Sequence, residues 1–325
     1  MTGKNTDGRL VDLGSGDYAY LQEGGSWGWS NAGLVTSEGV SLLVDTLFDL
    51  TLTRQMLAAF AEATPASARI ETLINTHNDG DHTHGNQLVP GARIIASAAA
   101  TDAMTNGVQP SDYSQLLANA ADLGDLGTFL KRNFGAFTFD DIDLVLPTET
   151  FVDRLTVTVG TKSVELFQVG PAHTPGDVIA YVPEDGAVFA GDIVFNGSHP
   201  VIWAGPPSRW VDACDLILGW NPETIVPGHG PMATQEDVRR LRDYFVTLVE
   251  LGGELRQKGL TPWEAAEYVT SNGMWPTWGE SERLIVNFAS VYQQLGDEPT
   301  FPDPMEGLKA MAQFSLAHEM KETIA

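Results

Sequence analysis

Short apolar runs rich in β-branched residues recur through the first two-thirds of the chain and are typical of β-strands. Each run is bounded by Gly, Pro, Asp or Asn, which favour turns. Two longer segments, 52–63 and 210–218, carry apolar residues at helical spacing and predict helices. Strands interleaved with helices predict a layered α/β domain. The predicted strands are 32–35, 40–44, 70–74, 92–95, 155–159, 164–169, 178–182, 188–190 and 224–226.

Two further parts of the chain are predicted to be helical. Residues 97–137 form an insertion in which "SDYSQLLANAADL" predicts a helix capped by Ser111. From about Gln235 the strand pattern stops, and helical patterns continue to the end of the chain. We therefore predict a main domain over residues 1–235, which carries the insertion, and a helical C-terminal extension over 236–325.

The composition is ordinary for a globular protein, with 43% hydrophobic and 19% charged residues in a chain of 325. No run approaches the roughly 18 apolar residues that span a bilayer, so no membrane segment is expected. The opening "MTGKNTDGRL" lacks the pattern of a signal peptide, and a cytoplasmic location is therefore expected. The single cysteine, Cys214, excludes an internal disulfide, and its helical surroundings predict a buried apolar position.

The charge balance disfavours one class of partner. Eighteen basic residues against 43 acidic residues give a formal net charge of −25, which repels the phosphate backbone of nucleic acids. A small-molecule substrate is expected instead, and the acidity is interpreted as favouring solubility. The oligomeric state stays open, with a homodimer as one alternative.

Candidate metal ligands cluster in "NTHNDGDHTHGNQ", residues 75–87, where three histidines and two aspartates lie within eight positions around Gly80. Four histidines and one aspartate come after strand-like runs, where α/β folds gather functional side chains. Imidazoles and carboxylates are ligands of zinc, iron and manganese. The sequence therefore predicts a metal site. The residues that follow strand-like runs are His77, His82, His173, His229 and Asp192.

These residues lie in five ordered motifs, which together resemble the metallo-β-lactamase superfamily over about residues 15–235. The resemblance implies an αββα sandwich and a metal-dependent hydrolase. It leaves the substrate open, because that superfamily cleaves several kinds of ester, lactone and amide bond. The motifs are "WSNAGLV…LLVDT" ending at Asp45, the segment His77-x-Asp79-x-Asp81-His82, "GPAHTPGD" with His173, "FAGD" with Asp192, and "VPGHG" with His229.

Carried onto this chain, the resemblance implies two divalent metal ions, most often zinc. The first ion would be held by His77, residue 79 and His173. The second would be held by Asp81, His82 and His229, with Asp192 bridging the two. A metal-bound hydroxide would then be the nucleophile, and Asp81 would orient it.

Position 79 departs from the family pattern, because Asp79 stands where a second histidine is usual. A carboxylate there favours harder ions such as manganese or iron. His77, Asp79 and His173 also form the two-histidine, one-carboxylate set that suits non-haem iron. Asp79 could instead only accept a hydrogen bond, which would leave the first site weak. All three alternatives stay open at this level.

Several residues near the motifs are candidates for contact with substrate. Trp27 and Trp29 are expected to form an exposed aromatic rim over the metal site. His199 and Arg209 lie on the segment after Asp192, and Arg209 is the nearest cation for a substrate carboxylate. His84 is expected to play a supporting or surface role.

The expected function is hydrolysis of a small, neutral or weakly charged ester, lactone or amide, because few basic residues fall near the motifs. Two rival functions stay open. One is a mononuclear non-haem iron oxygenase on the same fold, and the other is a non-catalytic binding protein stabilised by metal.

Overall fold

Two β-sheets lie face to face in the computed structural model, which describes residues 8–22 and 26–324, the side chains beyond 318 excepted. The first sheet has seven strands in chain order, and its last four strands run parallel. The strands of this sheet are β1 (Arg9–Gly14), β2 (Asp17–Leu21), β3 (Ala32–Ser37), β4 (Val40–Val44), β5 (Ile70–Ile74), β6 (Arg93–Ser97) and β7 (Glu149–Phe151).

The second sheet has five strands in the reverse of chain order, and only its β11 and β12 pair in parallel. Its strands are β8 (Arg154–Val159), β9 (Lys162–Gln168), β10 (Val178–Val182), β11 (Ala187–Phe189) and β12 (Thr224–Val226).

Ten α-helices accompany the sheets in the described part of the chain. Three of them, α3 to α5, fall inside the predicted insertion, and the last four form the C-terminal part. The helices are α1 (Leu50–Ala63), α2 (Gly80–Thr83), α3 (Ala98–Asn106), α4 (Pro110–Ala118), α5 (Gly124–Phe134), α6 (Pro207–Gly219), α7 (Gln235–Gln257), α8 (Pro262–Ser271), α9 (Leu284–Gln294) and α10 (Pro304–Ile324).

The layers follow from the two-residue period of the strands. In β4, Leu42 and Val44 face the second sheet and pack in the core between the sheets. Leu43 points the other way and packs against Met56 and Phe60 of α1. On the far face of the second sheet, strand residues pack against α6 and α7. The result is the αββα sandwich that the sequence predicted.

All nine predicted strands are present, but β1, β2 and β7 were not predicted. β1 has no clear alternation of buried and exposed positions, and β7 is only three residues long, so neither carries a periodic signal. The prediction that Ser111 caps this helix is wrong. The helix begins at Pro110, a residue favoured at the first helical position, and Asp112 accepts a hydrogen bond from the Gln109 N–H.

Helices α7 to α10 pack directly on the main domain, because they share one hydrophobic cluster with the outer face of the second sheet. The division of the chain at residue 235 stays a prediction. Within the described ranges, no helix is both long enough and apolar enough to cross a membrane. Residues 1–7, which contribute to the expectation about a signal peptide, lie outside those ranges.

Candidate metal centre

The seven predicted ligands converge in loops at one end of the sandwich. His77 follows β5, Asp192 follows β11 and His229 follows β12, while His173 lies in the connection between β9 and β10. Asp79 precedes α2, and α2 itself carries the adjacent pair of ligands, Asp81 and His82. The four histidine residues are almost fully buried, at 0–7% exposure.

Asp192 is the centre of this cluster. Its Oδ2 lies 3.3 Å from His173 Nε2, 3.2 Å from His229 Nε2 and 3.9 Å from His77 Nε2. Its Oδ1 lies 3.1 Å from His82 Nε2. One carboxylate therefore contacts the Nε2 edge of all four histidines, as a residue that bridges two metal positions must.

Asp79 points into the cluster. Its Oδ2 is 3.1 Å from His173 Nε2 and 4.0 Å from His77 Nε2, so these three side chains could share one ion. On the other side, Asp81 Oδ2 is 3.3 Å from His229 Nε2, and Asp81, His82 and His229 form a second such group. In each group the donor atoms lie within 4.8 Å of one another.

The opposite edge of each imidazole is held by an acceptor, which selects the tautomer. The Nδ1–H of His173 donates to the Val201 carbonyl oxygen at 2.8 Å, and that of His229 donates to the Trp29 carbonyl oxygen at 3.1 Å. With Nδ1 protonated, the Nε2 lone pair faces the centre of the cluster.

Asp45 and Thr76 position the other two histidines. The Nδ1–H of His82 donates to Asp45 Oδ2 at 2.9 Å. The Thr76 hydroxyl donates to the same oxygen at 2.8 Å, so its own oxygen is free to accept from His77 Nδ1 at 2.9 Å. Asp45 has a φ of 63°, a conformation uncommon outside glycine. In the sequence Asp45 is only the end of a motif; its role depends on the contacts with His82 and Thr76.

The residues present fit a metal cation. The Nε2 atoms of His77 and His82 and the Oδ1 atom of Asp192 are buried without a hydrogen-bond partner. Buried polar atoms are costly when unsatisfied. These nitrogen and oxygen atoms face one another with their lone pairs, so a cation between them would satisfy all of them. Nitrogen and oxygen donors together suit zinc, manganese or iron.

The electrostatics of the protein without metal agree with cation binding. Burial lowers the pKa of His173 and His229, but the charge of Asp192, together with Asp79 beside His173 and Asp81 beside His229, outweighs it and raises both pKa values to about 9. Burial raises the pKa of Asp192, but the surrounding histidines outweigh it and hold that pKa well below its ordinary range. Protons and metal ions therefore compete for the same Nε2 atoms.

A family model matches residues 25–229, and its description is the metallo-beta-lactamase superfamily. The chain belongs to the metallo-β-lactamase superfamily. The match covers well over half of the chain and includes every predicted ligand.

Solved structures share the metallo-β-lactamase fold. The mono-zinc form of the metallo-β-lactamase FIM-1 from Pseudomonas aeruginosa is 18% identical, with 75% of this chain and 97% of that chain covered and a TM-score of 0.53. A double mutant of the sec-alkyl sulfatase PisA1 is also 18% identical, with 91% of this chain and 51% of that chain covered and a TM-score of 0.66. The second match extends into the helical C-terminal part.

A curated relative is the 2,4-dinitroanisole O-demethylase subunit alpha of Nocardioides sp. (strain JS1661). It is 24% identical over 190 residues, which are 58% of this chain and 48% of that protein. The chain thus spans about half the length of the curated relative that it matches.

The expected exposed aromatic rim is wrong for Trp27, which is only 8% exposed. Its indole N–H donates to Glu282 at 2.9 Å, and the Arg283 guanidinium lies 4.2 Å from the ring centroid. Phe129 and Phe134 of the insertion pack edge-on against the same ring. Helices from both additions to the superfamily domain therefore cover Trp27.

Trp29 is half-buried, with its ring 4.7 Å from that of Phe137 and its carbonyl oxygen bonded to His229. Arg209 is exposed at the start of α6. A substrate contact for these two residues stays a prediction.

His199 is 2% exposed, and its Nδ1 lies 3.2 Å from the Tyr244 hydroxyl. Burial, followed by the charge of Arg283, lowers its pKa to about 3. These interactions are all with protein groups, so a contact between His199 and substrate stays a prediction. The surface role considered for His84 is wrong, because His84 is 2% exposed.

Proposed function

We propose that the protein is a metal-dependent hydrolase of a small, neutral or weakly charged ester, lactone or amide. The observation that carries this proposal is the convergence of four Nε2 atoms around Asp192, each with its Nδ1 held by an acceptor. This arrangement is preorganised for cations and costs little rearrangement when they bind.

The two donor groups support the predicted sets of ligands. His77, Asp79 and His173 would hold one divalent ion, and Asp81, His82 and His229 a second, with Asp192 between them. When bound, such ions supply a hydroxide at neutral pH by lowering the pKa of water, and they polarise the scissile carbonyl. Asp81, with a 13% exposed side chain, is placed to accept a hydrogen bond from the attacking water and orient it.

Asp79 shifts the expected metal and substrate. With two dications, three carboxylates and one hydroxide, the formal charge of the centre is zero, whereas a neutral ligand at position 79 would leave it positive. A neutral centre attracts anionic substrates less strongly. An oxygen donor in place of nitrogen also favours manganese or iron relative to zinc.

The related proteins widen the range of substrates to test. A metallo-β-lactamase, a sulfatase and an O-demethylase are among them, so a sulfate ester and an aryl methyl ether belong in the panel beside esters, lactones and amides. Since similarity at these identities supports the fold alone, none of these activities is carried over directly.

A second candidate function is a mononuclear iron oxygenase. It is favoured by the group of His77, Asp79 and His173, which is the two-histidine, one-carboxylate set of non-haem iron enzymes. The name O-demethylase on a relative is compatible with either hydrolytic or oxidative cleavage.

One experiment separates these functions. Protein purified without added metal would be analysed for zinc, manganese and iron, and then assayed against the panel with each ion while oxygen is monitored. Hydrolysis without oxygen uptake, lost in Asp192→Asn, supports the hydrolase. Oxygen consumption coupled to one tightly held iron supports the oxygenase. A third outcome would indicate a binding protein: the metal-loaded protein transforms none of the panel, and Asp81→Ala leaves its affinity for the panel compounds unchanged.

A further inference from the structure

The wall of the metal site beside Gly80 is formed by His84, which belongs to neither donor group. Gly80 lies between Asp79 and Asp81, and a Cβ atom on it would fall 2.4 Å from both Cε1 and Nε2 of His84. The His84 imidazole therefore occupies the place of a side chain at position 80. Its Nδ1–H donates to the Phe48 carbonyl oxygen at 3.2 Å, which turns the Nε2 edge towards Gly80.

A tyrosine from the helical insertion packs on this wall. The ring centroid of Tyr113, in α4, is 5.9 Å from that of His84 and 5.3 Å from that of Phe48. Tyr113 also stacks on Phe139 at 4.8 Å and meets Phe134 edge-on at 5.9 Å. The ring is thus held by four aromatic neighbours, and no hydrogen bond is found for its hydroxyl in the described part of the chain.

Tyr113 lies one aromatic ring away from Gly80, because His84 packs between them. Burial raises the pKa of Tyr113 most, and the charges of Asp79 and Asp81 raise it further, both by more than its sequence neighbour Asp112 does. Tyr113 therefore stays a neutral O–H donor at physiological pH.

This is also the open side of the site. The Asp79 side chain is 29% exposed and that of Asp81 is 13% exposed, whereas the side chains of the other five predicted ligands are at most 9% exposed. Solvent reaches the cluster at these two carboxylates, and Tyr113 packs through His84 against the glycine between them.

We propose that Tyr113 is a substrate-contacting residue, whose phenolic O–H donates a hydrogen bond to an oxygen of the substrate held over Asp79 and Asp81. The proposal rests on the proposed function and deepens it by naming the substrate as one with an acceptor oxygen at this side. Such a donor would offset the weaker electrophilic pull of a centre that Asp79, as a ligand, would make neutral.

The test is Tyr113→Phe, which removes the hydroxyl and keeps the ring, with Tyr268→Phe as a control at an exposed tyrosine of α8. The readouts are metal content, Tm, kcat/KM for the model substrate hydrolysed best, and the Kd of acetohydroxamate with the metal-loaded protein. We expect kcat/KM to fall about tenfold and hydroxamate to bind several-fold more weakly. Metal content and Tm should stay unchanged, because the hydroxyl has no hydrogen-bond partner among the described residues.

The outcomes separate this proposal from the proposed function. If kcat/KM and hydroxamate affinity both stay within about twofold of the wild type, Tyr113 does not contact substrate, whatever the enzyme hydrolyses. A loss accompanied by lower Tm or metal content would show a structural role and overturn the proposal. If no panel substrate is hydrolysed, the hydrolase proposal fails, and the hydroxamate arm alone decides on Tyr113. A metal-loaded wild type that neither hydrolyses the panel nor binds hydroxamate counts against both.

Discussion

His82 donates its Nδ1–H to the buried carboxylate of Asp45 across 2.9 Å, and Asp45 also accepts from the Thr76 hydroxyl that supports His77. A single carboxylate outside the predicted ligand set therefore orients one histidine of each donor group. Its contribution is to the geometry of the ligands rather than to binding the ion directly.

Asp45→Asn is expected to weaken metal binding about 10- to 100-fold, because partners behind metal-bound histidines usually contribute that much. Competition with a chromogenic chelator measures the affinity. Asp185→Asn is the control, since Asp185 is paired with Lys162 rather than with any predicted ligand. Equal affinities in wild type and Asp45→Asn would show that His77 and His82 need no such support.

Substitutions of Asp79 test its place in the first donor group. Asp79→Ala should lower the metal content of the purified protein, because His77 and His173 would lose their anionic partner. Asp79→His should shift the preference towards zinc, since nitrogen replaces oxygen. Elemental analysis of both variants measures these effects. If metal content and selectivity match the wild type in both, Asp79 is not a ligand.

Gly80→Ala should lower both activity and stability. The new Cβ would clash with the His84 ring, which cannot retreat freely because Phe48, Tyr113 and Phe139 surround it. Overpacking of this kind costs about 1–3 kcal/mol of unfolding free energy, which urea denaturation measures.

Gly253→Ala in α7 is the matched control for this substitution. A Cβ at Gly253 would lie 3.8 Å from Leu295 Cδ1, an ordinary contact, so that variant should be neutral or stabilised by up to about 1 kcal/mol. Alanine favours helix more than glycine does, so without a clash Gly80→Ala would also be neutral or stabilising. A stabilised Gly80→Ala protein would therefore contradict the predicted clash with His84.

His199 should make the fold sensitive to acid. Its pKa is lowered to about 3 in the folded protein. Between this pKa and the ordinary pKa of histidine, His199 therefore binds a proton in the unfolded chain but not in the folded chain. Stability is therefore lost as the pH falls through this window. His199→Asn should reduce the loss between about pH 7.5 and about pH 5 by about 2 kcal/mol.

Urea denaturation of the metal-free wild type and variant at both pH values measures this difference, because groups common to both proteins cancel. Parallel curves for the two proteins would show that His199 is not the group that titrates.

Much of the fold and of the donor set could be predicted from short-range patterns. The apolar runs that became β4 and β10 alternate or stay buried over five residues, which is enough to identify strands. His77, Asp192 and His229 could be predicted because each follows a strand, and strand ends meet at one edge of the sandwich. Asp79, Asp81 and His82 could be predicted because they share the motif of His77. The edge strand β1 could not be predicted, because its side chains do not alternate clearly between buried and exposed positions.

The sequence by itself determined the superfamily, the order of the motifs along the chain, and Asp192 together with the six other predicted ligands that cluster with it. Only the tertiary structure decided that Trp27 is covered by Glu282 and Arg283, that His84 fills the space of Gly80, and that Tyr113 packs against His84. The physical reason is separation along the chain: motif spacing is a local property, whereas Trp27 and Glu282 are 255 positions apart. Their contact exists only because the insertion and the C-terminal helices pack against the same core.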